Sequence, residues 1–228
     1  MSTPTSAPRS RRERPAKPAL TREGIVATAI GIMGREGMEK LTMRRLAQEL
    51  DTGPASLYVY VRNTAELHAA VLDELLGQVD LGPAGVHGDW RERIIEVLGS
   101  YTLVLYAHPS LARSALVARP SGPHYLDLLE ALAALLAEGG VPADRAAWEL
   151  DMLLLFATAT AAEQSTRKQS PDAEDEQGAL EAALRGLMSG THPHLAALGD
   201  ELLSGSGPDR TAWGMRVLIN GTLHTPRS

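Results

Sequence analysis

Residues 41–63 read LTMRRLAQELDTGPASLYVYVRN, two short helical patterns around a turn. Thr42 suits an N-cap, and Leu46, Ala47 and Leu50 then recur at i, i+1 and i+4, an inward helical stripe. Arg44, Arg45, Gln48 and Glu49 fall on the opposite side. Asp51-Thr52-Gly53 interrupts the pattern with turn formers, and Pro54 follows at a first helical position, where its missing N–H is harmless. Leu57 and Val61 continue the inward stripe, which leaves Ser56, Tyr58 and Tyr60 facing out. Two such helices form a helix-turn-helix, whose second helix enters the DNA major groove.

The outward side chains suit that task. The hydroxyls of Tyr58 and Tyr60 can donate to phosphate, Ser56 to phosphate or a base edge, and Val59 can touch a thymine methyl. Arg44 and Arg45 can reach phosphate or guanine. The expected DNA-facing set is Thr42, Arg44, Arg45, Gly53, Pro54, Ser56, Tyr58, Val59, Tyr60, Arg62, Asn63 and Thr64.

The charge distribution agrees, although the overall balance of −6 does not. Residues 1–64 hold 11 Lys/Arg against 6 Asp/Glu, a net of +5, whereas residues 65–228 hold 11 against 22, a net of −11. A basic module on an acidic body is expected when only one end meets phosphate. The chain has 228 residues and no cysteine, which removes disulfide and thiolate chemistry and fits a cytoplasmic protein bound to the nucleoid. No apolar run is long enough to cross a membrane, and the arginines of the N-terminus precede no apolar core, so no secretory signal is expected. Ala and Leu abound, aromatics make up 4%, and β-branched alternation is scarce; the expected class is all-α.

Three regions follow. Residues 1–18 have no apolar period and read as a disordered basic arm, with Arg9, Arg11, Arg12, Arg14 and Lys17 available for phosphate or the minor groove. Residues 19–80 form the helix-turn-helix domain. Thr21 caps a first helix ending at Gly37, with Ile25, Ala29, Ile32 and Met33 on one face. Asn63 caps a fourth helix with Glu66 three residues on, and Leu67, Val71, Leu75 and Gln78 share its inner face. Residues 81–228 form a second helical domain after the break at 80–88. Its expected helices are Asp89–Ala107, Ser110–Val117, Tyr125–Glu138, Ala143–Thr166, Gly178–Met188, His194–Leu203 and Arg210–Leu223, with a mobile acidic loop at Thr166–Gln177. The run LLLFATATAA makes Ala143–Thr166 apolar nearly all round, so it should be buried in a core or against another subunit.

The run L-T-M-R-R-L-A-Q-E-L, three turn residues, and P-A-S-L-Y-V-Y-V-R-N resembles the DNA-binding domain of the tetracycline-repressor (TetR) family. The likeness covers about the first 80 residues, including the helix from Thr21 to Gly37. Family members usually carry Gly where Asp51 stands, an apolar residue at Thr52 and Lys at Thr64. Asp tolerates a left-handed backbone, so the turn survives; the missing Lys removes one phosphate contact. The resemblance implies a tetracycline-repressor-like C-terminal domain with a ligand cavity, and two helices pairing with a second subunit as a four-helix bundle. By position these are Ala143–Glu163 and Arg210–Leu223. It further implies a homodimeric repressor on a palindromic operator, released by a small-molecule effector.

Tyr101, Tyr106, His108, Tyr125, Trp148, Met152 and Phe156 lie on helices that should surround that cavity, mostly apolar with a few polar tips, which suits an apolar or aromatic effector. His192-Pro-His194 and His124 are the suggestive histidines, but neither offers the i, i+4 pair a helical zinc site needs, so no metal and no cofactor is expected. There is no nucleophile elbow, phosphate loop or catalytic carboxylate pair, and no enzyme is expected. The alternative is a DNA-binding protein without a ligand, whose helical body only dimerises or docks a protein.

Overall fold

The computed structural model describes residues 19–117, 120–187 and 190–227, so the basic arm at 1–18 lies outside the described residues. Eleven α-helices and no strand occur among them. Helix α1 (Arg22–Glu36) starts where Thr21 Oγ1 accepts from the Gly24 N–H at 3.0 Å, and ends at Gly37, whose φ of 90° favours glycine. Helix α2 (Met43–Glu49) is capped by Thr42, which accepts from the Arg45 N–H at 3.1 Å. Helix α3 is the single turn Pro54–Leu57, extended to Val61 by bonds from the Tyr60 and Val61 N–H groups to the Leu57 carbonyl. Ile25, Ala29 and Ile32 of α1 close over Leu46, Leu57 and Val61, all at most 1% exposed.

Between α2 and α3, Asp51 has a φ of 48°, the one positive value at a non-glycine residue among those described. Its N–H reaches the Gln48 carbonyl and that of Thr52 reaches the Ala47 carbonyl, satisfying groups that the end of a helix leaves open. Asp occupies the left-handed position usually given to glycine, and the turn keeps its form.

Helix α4 (Thr64–Leu76) joins the head to the body. Asn63 Oδ1 accepts from the Glu66 N–H at 2.8 Å, as expected, but Glu66 answers one residue earlier, accepting from the Arg62 N–H at 2.7 Å. Leu67, Val71 and Leu75 are buried; Gln78 is exposed, because the chain turns after Leu76 and brings Val79 inward instead.

A 3-10 turn at Gly82–Gly85 leads into the body: α5 (Trp90–Tyr106), α6 (Pro109–Ala115), α7 (Pro123–Glu138), α8 (Ala143–Gln169), α9 (Ala173–Arg185), α10 (Pro193–Leu198) and α11 (Gly207–His224). Helix α8 spans 27 residues and packs against α5, α6, α7 and α11. One buried cation pins the entrance. Arg93 donates to the carbonyls of Pro83 and Ala84 at 2.9 and 2.8 Å and to Glu138 at 2.7 Å, so the turn, α5 and α7 share one guanidinium.

Two expectations change. Thr166–Gln177 is not a loop: α8 continues to Gln169 and α9 begins at Ala173. The acidic run Glu174-Asp175-Glu176 occupies the first turn of α9, where negative charge complements the helix dipole. The end expected at Met188 lies outside the described residues. The expected helix His194–Leu203 breaks at Gly199, φ 53°, into α10 and a 3-10 turn. Helix α8 leaves one face open in the single chain, with Trp148, Met152 and Leu155 more than half exposed.

Removing the shared guanidinium leaves two carbonyls and a carboxylate without their donor. The variant Arg93→Ala is expected to lose about 2–4 kcal/mol in urea unfolding followed by circular dichroism. A loss below about 0.5 kcal/mol, the level of an ordinary surface change, would remove Arg93 from its structural role.

Candidate DNA interface and effector cavity

Most of the expected DNA-facing residues are exposed along α2, the turn, α3 and the start of α4: Thr42, Arg44, Gly53, Pro54, Ser56, Tyr58, Val59, Arg62 and Asn63. Tyr58 is 51% and Val59 80% exposed, high values for large apolar side chains and fitting for groups awaiting a groove. Tyr60 differs from expectation. It is half-buried against the head core, because the chain leaves α3 through a tighter turn there. Thr64, the first residue of α4, is also half-buried.

The two arginines of α2 part company. Arg44 is exposed and forms no ion pair among the described residues. Arg45 is drawn back, pairing with Glu36 at 2.6 Å and Glu49 at 2.8 Å, while Arg35 also holds Glu49 at 2.8 Å. The bonds from Arg45 hold the carboxyls of Glu36 and Glu49 below their ordinary values. Arg45 therefore positions α2 against α1. Arg62 is 86% exposed at its side chain but paired with Glu66 at 3.0 Å, an exchange that phosphate can compete for.

The head meets the body at two joints. At the first, the Met38 N–H donates to Ser110 Oγ at 3.4 Å, and Arg113 of α6 holds Glu39 at 3.1 Å and Thr166 of α8 at 3.2 Å. At the second, Asp73 of α4 accepts from the Tyr125 N–H of α7 at 2.9 Å. Helix α7 has no side-chain cap of its own, since Gly122 stands at its N-cap. Asp73 supplies the cap from the other domain. A Cβ on Gly122 would lie 2.0 Å from Asp73 Oδ2, so only glycine admits the approach.

Beside this joint lies a small cavity of about 60 Å³, walled by Leu72 and Leu76 of α4, Tyr101 of α5, Tyr125 of α7 and Asp151, Leu154 and Thr158 of α8. The Tyr101 hydroxyl and Thr158 Oγ1 are 2.7 Å apart, and burial pushes the phenol up to about 12 against the lowering effect of that bond. Of the seven residues expected to surround one cavity, only Tyr101 and Tyr125 do. Tyr106 lines a separate groove of about 410 Å³ with Thr102, Leu103, Gln164 and Met215. His108 faces a cleft with Glu39 and Arg113, and burial lowers its pKa. Trp148 and Met152 turn to the outside of α8, and Phe156 is half-buried against α11, where a Cβ on Gly214 would meet its ring at 2.6 Å. The difference is one of helical phase: positions 148, 152 and 156 follow one another at i+4, whereas this cavity takes 151, 154 and 158. Thr158, a polar residue in an apolar run, was the signal available for that stripe.

A three-helix head with an exposed turn-and-helix surface, joined by one helix to an α-helical body with a tyrosine-lined cavity, defines a two-domain helix-turn-helix DNA-binding regulator. Comparison with known proteins agrees over nearly the whole chain. Residues 25–71 match the family described as bacterial regulatory proteins, tetR family, and residues 82–225 match the tetracyclin repressor-like C-terminal domain. The chain belongs to the TetR family of transcriptional regulators. It is 30% identical over 222 residues to the HTH-type transcriptional repressor DrrR1 of Streptomyces coeruleorubidus, covering 92% of this chain and 80% of that one. A crystal structure of the transcription regulator SCO7704 from Streptomyces shares 57% identity and a TM-score of 0.75, covering 93% and 98% of the two chains. The Streptomyces coelicolor TetR family protein ActR in complex with actinorhodin shares 38% identity and a TM-score of 0.80, covering 90% and 96%.

The two arginines of α2 give opposite expectations. Arg44→Ala should weaken DNA binding and reduce the slope of log affinity against log salt by about 1. Arg45→Ala should leave that slope unchanged while lowering the melting temperature of the head. Fluorescence anisotropy at three salt concentrations separates the two, and equal slopes for both variants would contradict the division.

Proposed function

We propose that the chain is a homodimeric repressor that binds a palindromic operator through paired α3 segments and is released when a small molecule enters the cavity beside α4. The observation that carries this reading is Tyr125. Its side chain walls the cavity, while its backbone N–H is held by Asp73 of the helix that bears the head. A ligand that displaces Tyr125 acts directly on α4.

Pairing is assigned to the outer face of α8 and α11. Trp148, Met152, Trp213 and Val217, 48–66% exposed, form an apolar surface there that a single copy leaves to water. These side chains lie within Ala143–Glu163 and Arg210–Leu223, the segments assigned to the four-helix bundle by position. A dimer of this kind sets its two recognition segments about 34–36 Å apart, one helical turn of DNA.

The hydroxyls of Tyr101, Tyr125 and Thr158 among leucines suit an aromatic, oxygen-bearing effector. The structure of ActR in complex with actinorhodin supports a small-molecule ligand. A cavity of about 60 Å³ holds no such molecule as it stands. The ligand therefore selects a wider state in which the α4–α7 joint has shifted, and its differential affinity for that state releases DNA. The residues of the basic arm, outside the described structure, would add phosphate contacts.

Selection of binding sites from a random duplex pool, at two salt concentrations and beside Tyr58→Ala, tests the first half. An inverted repeat that the wild type enriches and the variant loses is expected, with affinity falling steeply in salt. Failure to enrich any sequence would sink the operator reading. Titrating the operator complex with actinorhodin tests the second half: the expected result is at least about a tenfold loss of affinity, within the usual range of allosteric coupling. Unchanged affinity would exclude this ligand class and favour a body that serves only to dimerise or dock a protein.

A further inference from the structure

Behind the proposed pairing face lies a carboxyl group with no evident structural partner for one of its oxygens. Glu149, on α8, is 1% exposed. Its Oε2 is hydrogen-bonded to Thr222 Oγ1 of α11, and its Oε1 is buried with no hydrogen-bond partner. An ionised carboxylate accepts at both oxygens, and burying one without donors is costly.

The charged groups around it do not supply those donors. Arg145, one turn earlier on α8, gives its guanidinium to the carbonyls of Thr222 and Leu223 at 3.0 and 2.9 Å, closing the end of α11. Arg227 of the C-terminal tail sits 4.0 Å over the Trp148 ring and donates to the Asp144 carbonyl. From α5, Arg91 is bound to Asn220, and Glu92 is paired with Arg216 of α11. Glu138 of α7 is paired with Arg93, and Arg113 of α6 with Glu39. His224 is exposed on the last turn of α11.

We propose that Glu149 is held as a neutral acid between α8 and α11, accepting from Thr222, and that its neutrality keeps the two helices packed in the arrangement that a second copy recognises. Pairing of two copies then weakens as the pH rises. When the proton leaves for water, a carboxylate remains behind Trp148 and Met152, and its hydration disturbs the contact of α11 with α8. The inference rests on the assignment of that outer face to dimerisation.

The direction follows from linkage. Burial raises the Glu149 carboxyl above its ordinary 4.5, and the Thr222 bond only partly offsets this. The packed state therefore binds more protons than the open one. Its stabilisation is complete below the ordinary value and is lost as the pH rises through the raised one.

The test is sedimentation of the full chain at fixed ionic strength between about pH 6 and about pH 9, beside Glu149→Gln, a neutral isostere that keeps the contact to Thr222. The wild-type dimer dissociation constant should rise at least about tenfold across that range, and the variant should stay tight and flat. A flat wild type that remains dimeric would overturn the proposal, as would a variant with the wild-type slope. Titration of the Glu149 carboxyl by carbon NMR reads the same group whatever the oligomeric state; an ordinary value there would also overturn it. A chain monomeric at every pH, with Glu149 still titrating high, would instead overturn the assignment of the pairing face.

Discussion

A carboxylate on one domain completes a helix of the other. Asp73 lies on α4, which belongs to the head by sequence, yet it satisfies the open N-terminus of α7 in the body. Without it, the first turn of α7 would carry unmet N–H groups at the positive end of a helix dipole, next to a glycine that offers no cap. The contact is specific because Gly122 leaves no room for anything larger. The angle at which α4 enters the body, and with it the direction in which the head points, thus depends on this joint together with the buried apolar cluster that runs from the head through α4 into the body. The Ser110 and Arg113 contacts to Met38 and Glu39 bear on the opposite side of the head.

The same head separates charges that bind from charges that build. Five Lys/Arg precede residue 18 outside the described structure, so within the folded head the available cations are few. Arg45 and Arg35 are spent on Glu36 and Glu49. What faces outward is a hydroxyl and apolar surface around Tyr58 and Val59, with Arg44 and Arg62 at its edges.

The head was legible in the sequence because its signals are local. Caps at Thr21, Thr42 and Asn63, the turn at Asp51 and the inward stripe through Leu57 all depend on residues a few positions apart. The body's helices were legible too, but not their rotation. Whether Trp148 or Asp151 faces the cavity depends on which neighbour lies across α8, and a helix apolar on most sides does not say. Arg45 is drawn back by Glu49, four residues on in the same helix, and by Glu36 of α1, a partner that no local pattern reveals. The acidic run after Gln169 was read as a loop because its charge suggested solvent, although the same charge favours a helix start.

Helices α9 and α10 bury no residue at all, in contrast to α8 before them. Little apolar area holds them down, so their amides should open by local fraying at a small fraction of the global unfolding free energy. Substitutions there cost little stability, whereas the helices on either side are held by packing on several fronts. The segment from Ala173 to Leu203 should therefore tolerate substitution and opening that α8 and α11 would not, so the two long helices can hold their packing while the stretch between them moves.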